Sequence, residues 1–268
     1  MKAAAFEYAR PHTVAEAVGL LAAHADAKIL AGGQTLGPML NLRLARPSMV
    51  IDVSRIAELG RVEDMGETIL LGACVTHASI EDGRVPDPGD GALSRVAKGI
   101  AYRAVRTRGT IGGSIAHADP AADWLSLLVA LDATVLIANP ARRSNMPLAA
   151  FVAGALTTRL APDEMIVGIR IPKLASSARV GYAKISQKTG EFAKALGVAV
   201  RDPSRATLRL VAGALAGPPV VMDFPHSEFG ADERVILSRL AGQGLENDVY
   251  RRNIHLAALQ RALRETEL

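Results

Sequence analysis

The chain has 268 residues, 49% of them hydrophobic and 22% charged, with a net charge of +4 spread along its length. That size supports one large or several modest cores, and the composition excludes a disordered or collagen-like chain. The single cysteine, Cys74, excludes a disulfide framework, a thiolate zinc site and an iron–sulfur cluster held by this chain alone, while 4% aromatic residues leave few platforms for stacking nucleic-acid bases. No window reaches ~18 uninterrupted apolar residues, so a transmembrane segment is not expected and the cytoplasm is the default location.

In chain order, an extended start at Phe6 and Tyr8 precedes a helix of about three turns, with Thr13 as N-cap, Glu16 three residues on, and Val14, Ala17, Val18 and Leu21 on one face. Lys28 to Leu30 reads as a short buried strand running into Gly32-Gly33. Leu36 to Leu44 reads as a helix and Met49 to Val53 as a second strand, so the first 55 residues give the order β-α-β-loop-α-β. Beyond Leu59 come a strand at Thr68 to Leu71, a helix from about Thr76, a loop from Gly83 to Gly91, and a helix from Leu93 to about Arg103. Asp119-Pro120 signals a helix start for the apolar run Trp124 to Leu131, with Asp119 as the expected cap. Strands follow at Ala133 to Ala138 and Met165 to Ile171. Lys173 to Ala178 is the best linker. Past it, strands at Arg179–Ile185, Ala195–Arg201 and Thr207–Gly213 precede helices at about 231–241 and 248–264, which makes the fold class α+β.

Two glycine-rich segments are candidate anion sites. Ala31-Gly32-Gly33-Gln34-Thr35-Leu36 follows a strand, and Gly109-Thr110-Ile111-Gly112-Gly113-Ser114 follows a helix. Without β-carbons, such residues let consecutive backbone N–H groups converge on phosphate oxygens, and Gln34, Thr35, Thr110 and Ser114 add side-chain donors. Two of them suit a pyrophosphate gripped from both sides; the other reading is a pair of tight turns. Neither carries the Gly-x-x-x-x-Gly-Lys or Gly-x-Gly-x-x-Gly pattern of phosphate-loop and Rossmann nucleotide sites. Asp123, one turn into an apolar run, needs a polar partner if buried. Arg95, Lys98, Arg103, Arg106 and Arg108 form a basic stretch that reads as a solvated face, with some of it available to offset phosphate charge. The six histidines show no metal-binding spacing, and Cys74 with His77 reads as core and surface.

The first glycine segment, with Arg43-Leu44, Pro47 and Ile51-Asp52-Val53, resembles the first flavin loop of the FAD-binding medium subunit of molybdenum hydroxylases, the group of carbon monoxide dehydrogenase and xanthine dehydrogenase. Val105-Arg106-Thr107-Arg108 with Gly109 to Ser114 and Asp119 to Asp123 is similar to its second loop. The likeness continues through Leu160 to Glu164, Ile171-Pro172, Tyr182-Ala183-Lys184 and Gly190 to Ala193, and reaches Tyr250-Arg251-Arg252. It departs at Tyr102-Arg103, where Asp-Pro is common, and at Phe192, where Tyr is frequent.

The resemblance implies two α/β FAD-binding subdomains of the PCMH type, residues 1–57 and 58–175. An α+β C-terminal domain, 176–268, would shape the ring pocket and contact partners. It implies non-covalent FAD, with Ala31, Gly32, Gly33, Gln34, Thr35, Leu36 and Thr110, Ile111, Gly112, Gly113, Ser114 around the pyrophosphate. Ile100, Ala101 and Leu160 would line the cofactor, Asp123 would bind its hydroxyls, and Lys184 and Phe192 would lie beside the isoalloxazine. The implied partners are a small subunit with 2Fe-2S clusters and a large molybdenum–pterin subunit, doubled about a twofold axis into a dimer of heterotrimers; substrate identity belongs to the large subunit. A stand-alone flavin oxidase of the same fold and a flavin-free binding module are the alternatives.

Overall fold

The computed structural model describes residues 2–225, 233–245 and 247–267, which build three main sheets in chain order. The first sheet is small and parallel. β1 (Glu7–Ala9), α1 (Val14–Ala23), β2 (Lys28–Leu30), α2 (Leu36–Asn41) and β3 (Met49–Asp52) follow one another, with β3 between β1 and β2. The order expected of this stretch is present. Thr13 caps α1 by accepting the Glu16 N–H at 3.1 Å, and the Glu16 carboxylate accepts the His12 N–H at 2.7 Å. Val14, Ala17, Val18 and Leu21 form the buried stripe of α1. α2 stops three residues earlier than its apolar pattern suggests, because Arg43 turns into the left-handed region at φ 57°.

The second sheet is antiparallel. After β4 (Val62–Asp64) and β5 (Thr68–Gly72) the chain makes five short helices, α3 (His77–Glu81), α4 (Ala92–Lys98), α5 (Arg103–Arg106), α6 (Ile111–His117) and α7 (Asp123–Ala130). It returns through β6 (Thr134–Ala138), β7 (Arg143–Pro147), α8 (Leu148–Phe151), the hairpin β8 (Val152–Gly154) and β9 (Thr157–Thr158), and β10 (Met165–Pro172). The strand order is β4-β5-β10-β6-β7, so the last strand in sequence is the middle of the sheet.

Three local expectations need correction. The helix expected from Leu93 to about Arg103 is broken: α4 ends at Lys98 with Gly99 as its C-cap, Ala101 takes φ 42°, and α5 starts afresh at Arg103. The second glycine segment is the first turn of α6, capped by the Thr110 hydroxyl, which accepts the Gly113 N–H at 3.1 Å. Asp119 does not cap a helix. Its carboxylate accepts the Ala121 N–H at 2.9 Å in a turn, and α7 begins only at Asp123, with Ala122 in the cap position.

The third sheet is a meander of β11 (Arg179–Ile185), β12 (Ala195–Asp202), β13 (Thr207–Gly213) and β14 (Val220–Pro225), followed by α9 (Glu233–Arg239) and α10 (Val249–Glu265). The expected helix over 231–241 is α9, its first two positions lying outside the described residues. Asp248 caps α10 by accepting the Arg251 N–H at 2.9 Å. One face of this sheet carries α10 at close range: a β-carbon on Gly181 would lie 1.7 Å from the Ala262 carbonyl oxygen, and one on Gly197 2.5 Å from that of Ala258. The other face meets α7, every residue of which is buried. The period of two along β11 therefore sends Gly181 and Ala183 toward α10 and Val180, Tyr182 and Lys184 toward the rest of the molecule. This alternation delivers two polar side chains of the third sheet to the start of α7.

Candidate functional site

A cleft of about 700 Å³ opens between the three sheets. Its walls come from the loop after β2, the starts of α6 and α7, the break between α4 and α5, the entry to β10, and the β11–β12 turn. Ala31, Gly32, Gly33, Gln34, Thr35 and Leu36 line it, as do Ile100, Ala101, Thr110, Gly112, Gly113, Ser114, Asp123, Leu160, Lys184 and Phe192. Ile111 does not. Its side chain is fully buried in the core beneath, and its N–H is spent on the Val75 carbonyl.

The two glycine segments touch each other. A β-carbon on Gly32 would lie 2.0 Å from the Arg108 carbonyl oxygen, so the first loop is glycine there because the backbone entering the second segment passes against it. Gly33 turns the loop at φ 70°, and Gln34 folds back to donate to the Gly32 carbonyl at 3.2 Å. Among the described residues the N–H groups of Gly33, Gln34 and Thr35 have no protein acceptor, and the Thr35 hydroxyl makes no capping bond. This loop therefore presents unspent donors to the cleft.

The second segment differs from its expected role as a cradle of N–H groups. Ile111 N–H binds the Val75 carbonyl, Gly112 N–H the Ala73 carbonyl, and Gly113 N–H the Thr110 hydroxyl. Gly112 is also sterically committed, since a β-carbon there would lie 2.5 Å from that of Ala73 and 2.6 Å from its carbonyl oxygen. Gly113 is open on the cleft side: only the Thr110 hydroxyl comes within 4 Å of a β-carbon placed there. What this segment offers is an approachable backbone at Gly113 and the hydroxyl of Ser114.

At the other end, Asp123 is 5% exposed and fully engaged. Lys184 Nζ binds its two oxygens at 3.0 and 3.1 Å and also donates to the Gly99 carbonyl at 3.3 Å; the Tyr182 hydroxyl donates to Asp123 at 2.5 Å. A buried carboxylate is tolerated at such a place when paired and hydrogen-bonded. Burial, reinforced by the neighbouring Asp123 charge and hydrogen bond, raises the Tyr182 phenol well above its usual value, so it stays a donor. Phe192 is largely exposed at the rim.

Several participants carry little sequence signal. His77 is buried against Trp124, whose indole N–H donates to its Nδ1 at 3.0 Å, which leaves the proton on Nε2. Burial, with Arg106 nearby, pushes the imidazole down to about 4, so it is neutral at physiological pH. Cys74 also lines the cleft, its sulfur 3.7 Å from the Val53 carbonyl, and burial pushes its thiol up to about 12. No group of residues suited to holding a metal occurs among the described residues. The basic stretch is not a solvated face throughout: Arg106 is buried against Glu81, Arg103 pairs with Glu81 and Asp82, and Arg95 with Asp90. Only Lys98 and Arg108 in it are exposed without a side-chain partner.

The cleft fits an extended dinucleotide: unspent backbone donors at one loop face an open glycine on the other, between apolar walls such as Ile29, Met39, Val53 and Leu59. Residues 4–174 match the family described as the FAD binding domain in molybdopterin dehydrogenase. The carbon monoxide dehydrogenase medium chain of Hydrogenophaga pseudoflava is 40% identical over 191 residues, 71% of this chain and 67% of that one. Caffeine dehydrogenase subunit beta of Pseudomonas sp. strain CBB1 is 31% identical over 254 residues, 93% and 84% of the two chains. The solved carbon monoxide dehydrogenase of H. pseudoflava superposes with a TM-score of 0.89 at 31% identity, covering 100% of this chain and 99% of that one. Quinoline 2-oxidoreductase from Pseudomonas putida 86 gives 0.86 at 28% identity, covering 99% and 98%. With unspent donors facing an open glycine across the cleft and a family match over most of its length, this chain belongs to the FAD-binding medium subunits of the molybdenum hydroxylases and is an oxidoreductase subunit.

Proposed function

We propose that the chain holds FAD non-covalently in this cleft and relays electrons from the 2Fe-2S clusters of a small partner subunit to an external acceptor, a large molybdenum–pterin subunit having oxidised the substrate. The observation that carries this reading is the meeting of the two glycine segments, where the N–H groups of Gly33, Gln34 and Thr35 have no acceptor among the described residues. When bound, FAD supplies the redox chemistry, and the protein supplies position and electrostatics. Gly33 to Thr35 would donate to phosphate oxygens, the bare backbone of Gly113 would let them approach, and Ser114 would add a hydroxyl. Lys184 places a cation at the far end, held by Asp123 and the Gly99 carbonyl, so its charge is fixed before any ligand arrives. Phe192 covers the rim, and neutral His77 adds no charge.

The same reading puts domain boundaries near residues 57 and 175, a dimer of heterotrimers as the assembly, and the cytoplasm as its place. No helix among the described residues is long and apolar enough to cross a membrane. Two of the reactive groups lining the cleft support non-covalent attachment: Cys74 is a thiol, not a thiolate, and the His77 ring is tied to Trp124. The purified chain is expected to be yellow and to release FAD into the supernatant on acid precipitation. Colour retained in the pellet would contradict the non-covalent linkage, and a colourless folded protein would contradict flavin binding itself.

A further inference from the structure

Behind one wall of the cleft lies a buried cation that the cofactor reading leaves unused. Arg106 is 8% exposed. Its Nε and Nη2 reach the two carboxylate oxygens of Glu81 at 2.7 and 2.9 Å, a two-pronged pair. Its Nη1 donates to the Ile100 carbonyl at 2.8 Å and the Ala101 carbonyl at 3.0 Å. Those two residues line the cleft and form the break between α4 and α5, where Ala101 takes a φ of 42° that a non-glycine residue adopts only when its surroundings impose it.

The same short segment seats the turn between β11 and β12. Ile100 pairs with Gly190 in a parallel bridge, and a β-carbon on Gly190 would lie 2.8 Å from the Ala101 carbonyl oxygen. Glu191 and Phe192, which follow, line the same end of the cleft. A buried guanidinium is tolerated only when its donors are used, and here Glu81 and the two carbonyls together take four of its five N–H groups. The contacts that make the charge tolerable are thus the contacts that bend the chain.

We propose that Arg106 is a positioning residue of the cofactor site: by gripping the Ile100 and Ala101 carbonyls it fixes the wall on which Gly190 to Phe192 rests, and so sets the shape of the ring end of the cleft. This rests on the flavin reading above. Glu81 is its counter-ion. Arg103, exposed and bound to Glu81 and Asp82 at 2.6 Å each, touches neither carbonyl and serves as the control.

The test uses the full chain purified with its flavin. Visible absorption and circular dichroism of the bound flavin, the FAD Kd of the apoprotein, and thermal unfolding are compared for Arg106→Met, Arg106→Lys, Gly190→Ala and Arg103→Met. Arg106→Met is expected to reshape the visible dichroism and raise the Kd at least tenfold while unfolding stays cooperative. Arg106→Lys is expected not to rescue, because an ammonium keeps the charge beside Glu81 but lacks the fork that spans both carbonyls. Gly190→Ala pushes on the Ala101 carbonyl directly and should give the same kind of spectral change, whereas Arg103→Met should keep the wild-type spectrum and a Kd within twofold. A folded Arg106→Met with unaltered spectrum and Kd, or full rescue by lysine, overturns the proposal. Should Arg106→Met fail to fold, an unaltered Gly190→Ala overturns it in its place. A colourless wild type would instead defeat the flavin reading, an outcome distinct from unaltered variants of a yellow protein.

Discussion

Gly112 and Gly113 are neighbours with opposite obligations. A valine at 112 has to displace the Ala73 backbone, whereas a valine at 113 meets only the Thr110 hydroxyl and then projects into the cleft. Gly113→Val is therefore expected to keep a folded, cooperatively melting chain that has lost FAD, and Gly112→Val to lose structure as well. Flavin occupancy measured beside circular dichroism separates the two, and full occupancy in a folded Gly113→Val would show that nothing approaches that backbone. His77 makes a prediction about pH. Its folded pKa of about 4 lies below the unfolded 6.5, so the unfolded chain takes up the proton first; the stabilisation is complete above 6.5 and is lost as the pH falls toward 4. The loss amounts to about 2 kcal/mol between about pH 7 and pH 5. Carboxylates held low, such as Asp52 at about 2, where hydrogen bonds from Ser54, Tyr8 and Arg10 outweigh the upward push of burial, lose their contribution only at lower pH. His255 is also lowered by burial and acts in the same direction. The decisive quantity is thus the difference between wild type and His77→Gln in urea unfolding, and equal pH slopes in the two would mean that His77 is not the group responsible.

At the scale of elements, legibility followed how local the cause was. α1 could be read because Thr13 is a side-chain cap set a fixed distance before an apolar stripe, and that cap forms; α10, placed by its pattern alone, also begins at a side-chain cap, Asp248. β4, β7 and β14 escaped because they are edge strands, and the β8–β9 hairpin because its strands are two or three residues long, too short for a period of two to register. The glycines of the second segment looked like a loop since glycine is a poor helix former, but the Ala73 backbone and the Thr110 cap, both tertiary or capping facts, make them a helix start. In the same way the pattern of residues 93–103 is continuous, yet the helix closes at a Gly99 C-cap, beyond which Arg106 binds the carbonyls five and six residues back. The glycine segments, Asp123 and Lys184 stood out through residue type and resemblance. His77 and Trp124 did not, and Tyr182 and Arg106, though they lie in segments that carry the resemblance, had no readable partner, because each acts through particular contacts or by burial, which a spacing rule cannot register.

At the scale of the molecule, the cleft is a product of three sheets and belongs to none of them. Sheet one contributes the donor loop, sheet two the helix starts, and sheet three Lys184 and the rim at Phe192, with the Asp123–Lys184 pair and the Ile100–Gly190 bridge joining the last two. The cysteine that lines this site is a thiol, and the described residues contain no metal-binding cluster. Under the proposed relay, electrons reach the flavin from the partner subunits. The isolated chain, fully loaded with FAD, is accordingly expected to show no hydroxylase activity and no bleaching of its flavin when mixed anaerobically with the substrate of the complex. The assembled complex, given the same substrate under the same conditions, should bleach. Bleaching in both would mean that the chain oxidises substrate itself and would favour a stand-alone flavin oxidase; bleaching in neither, with a complex whose metal centres are shown to be reduced, would mean that the relay ends before this subunit.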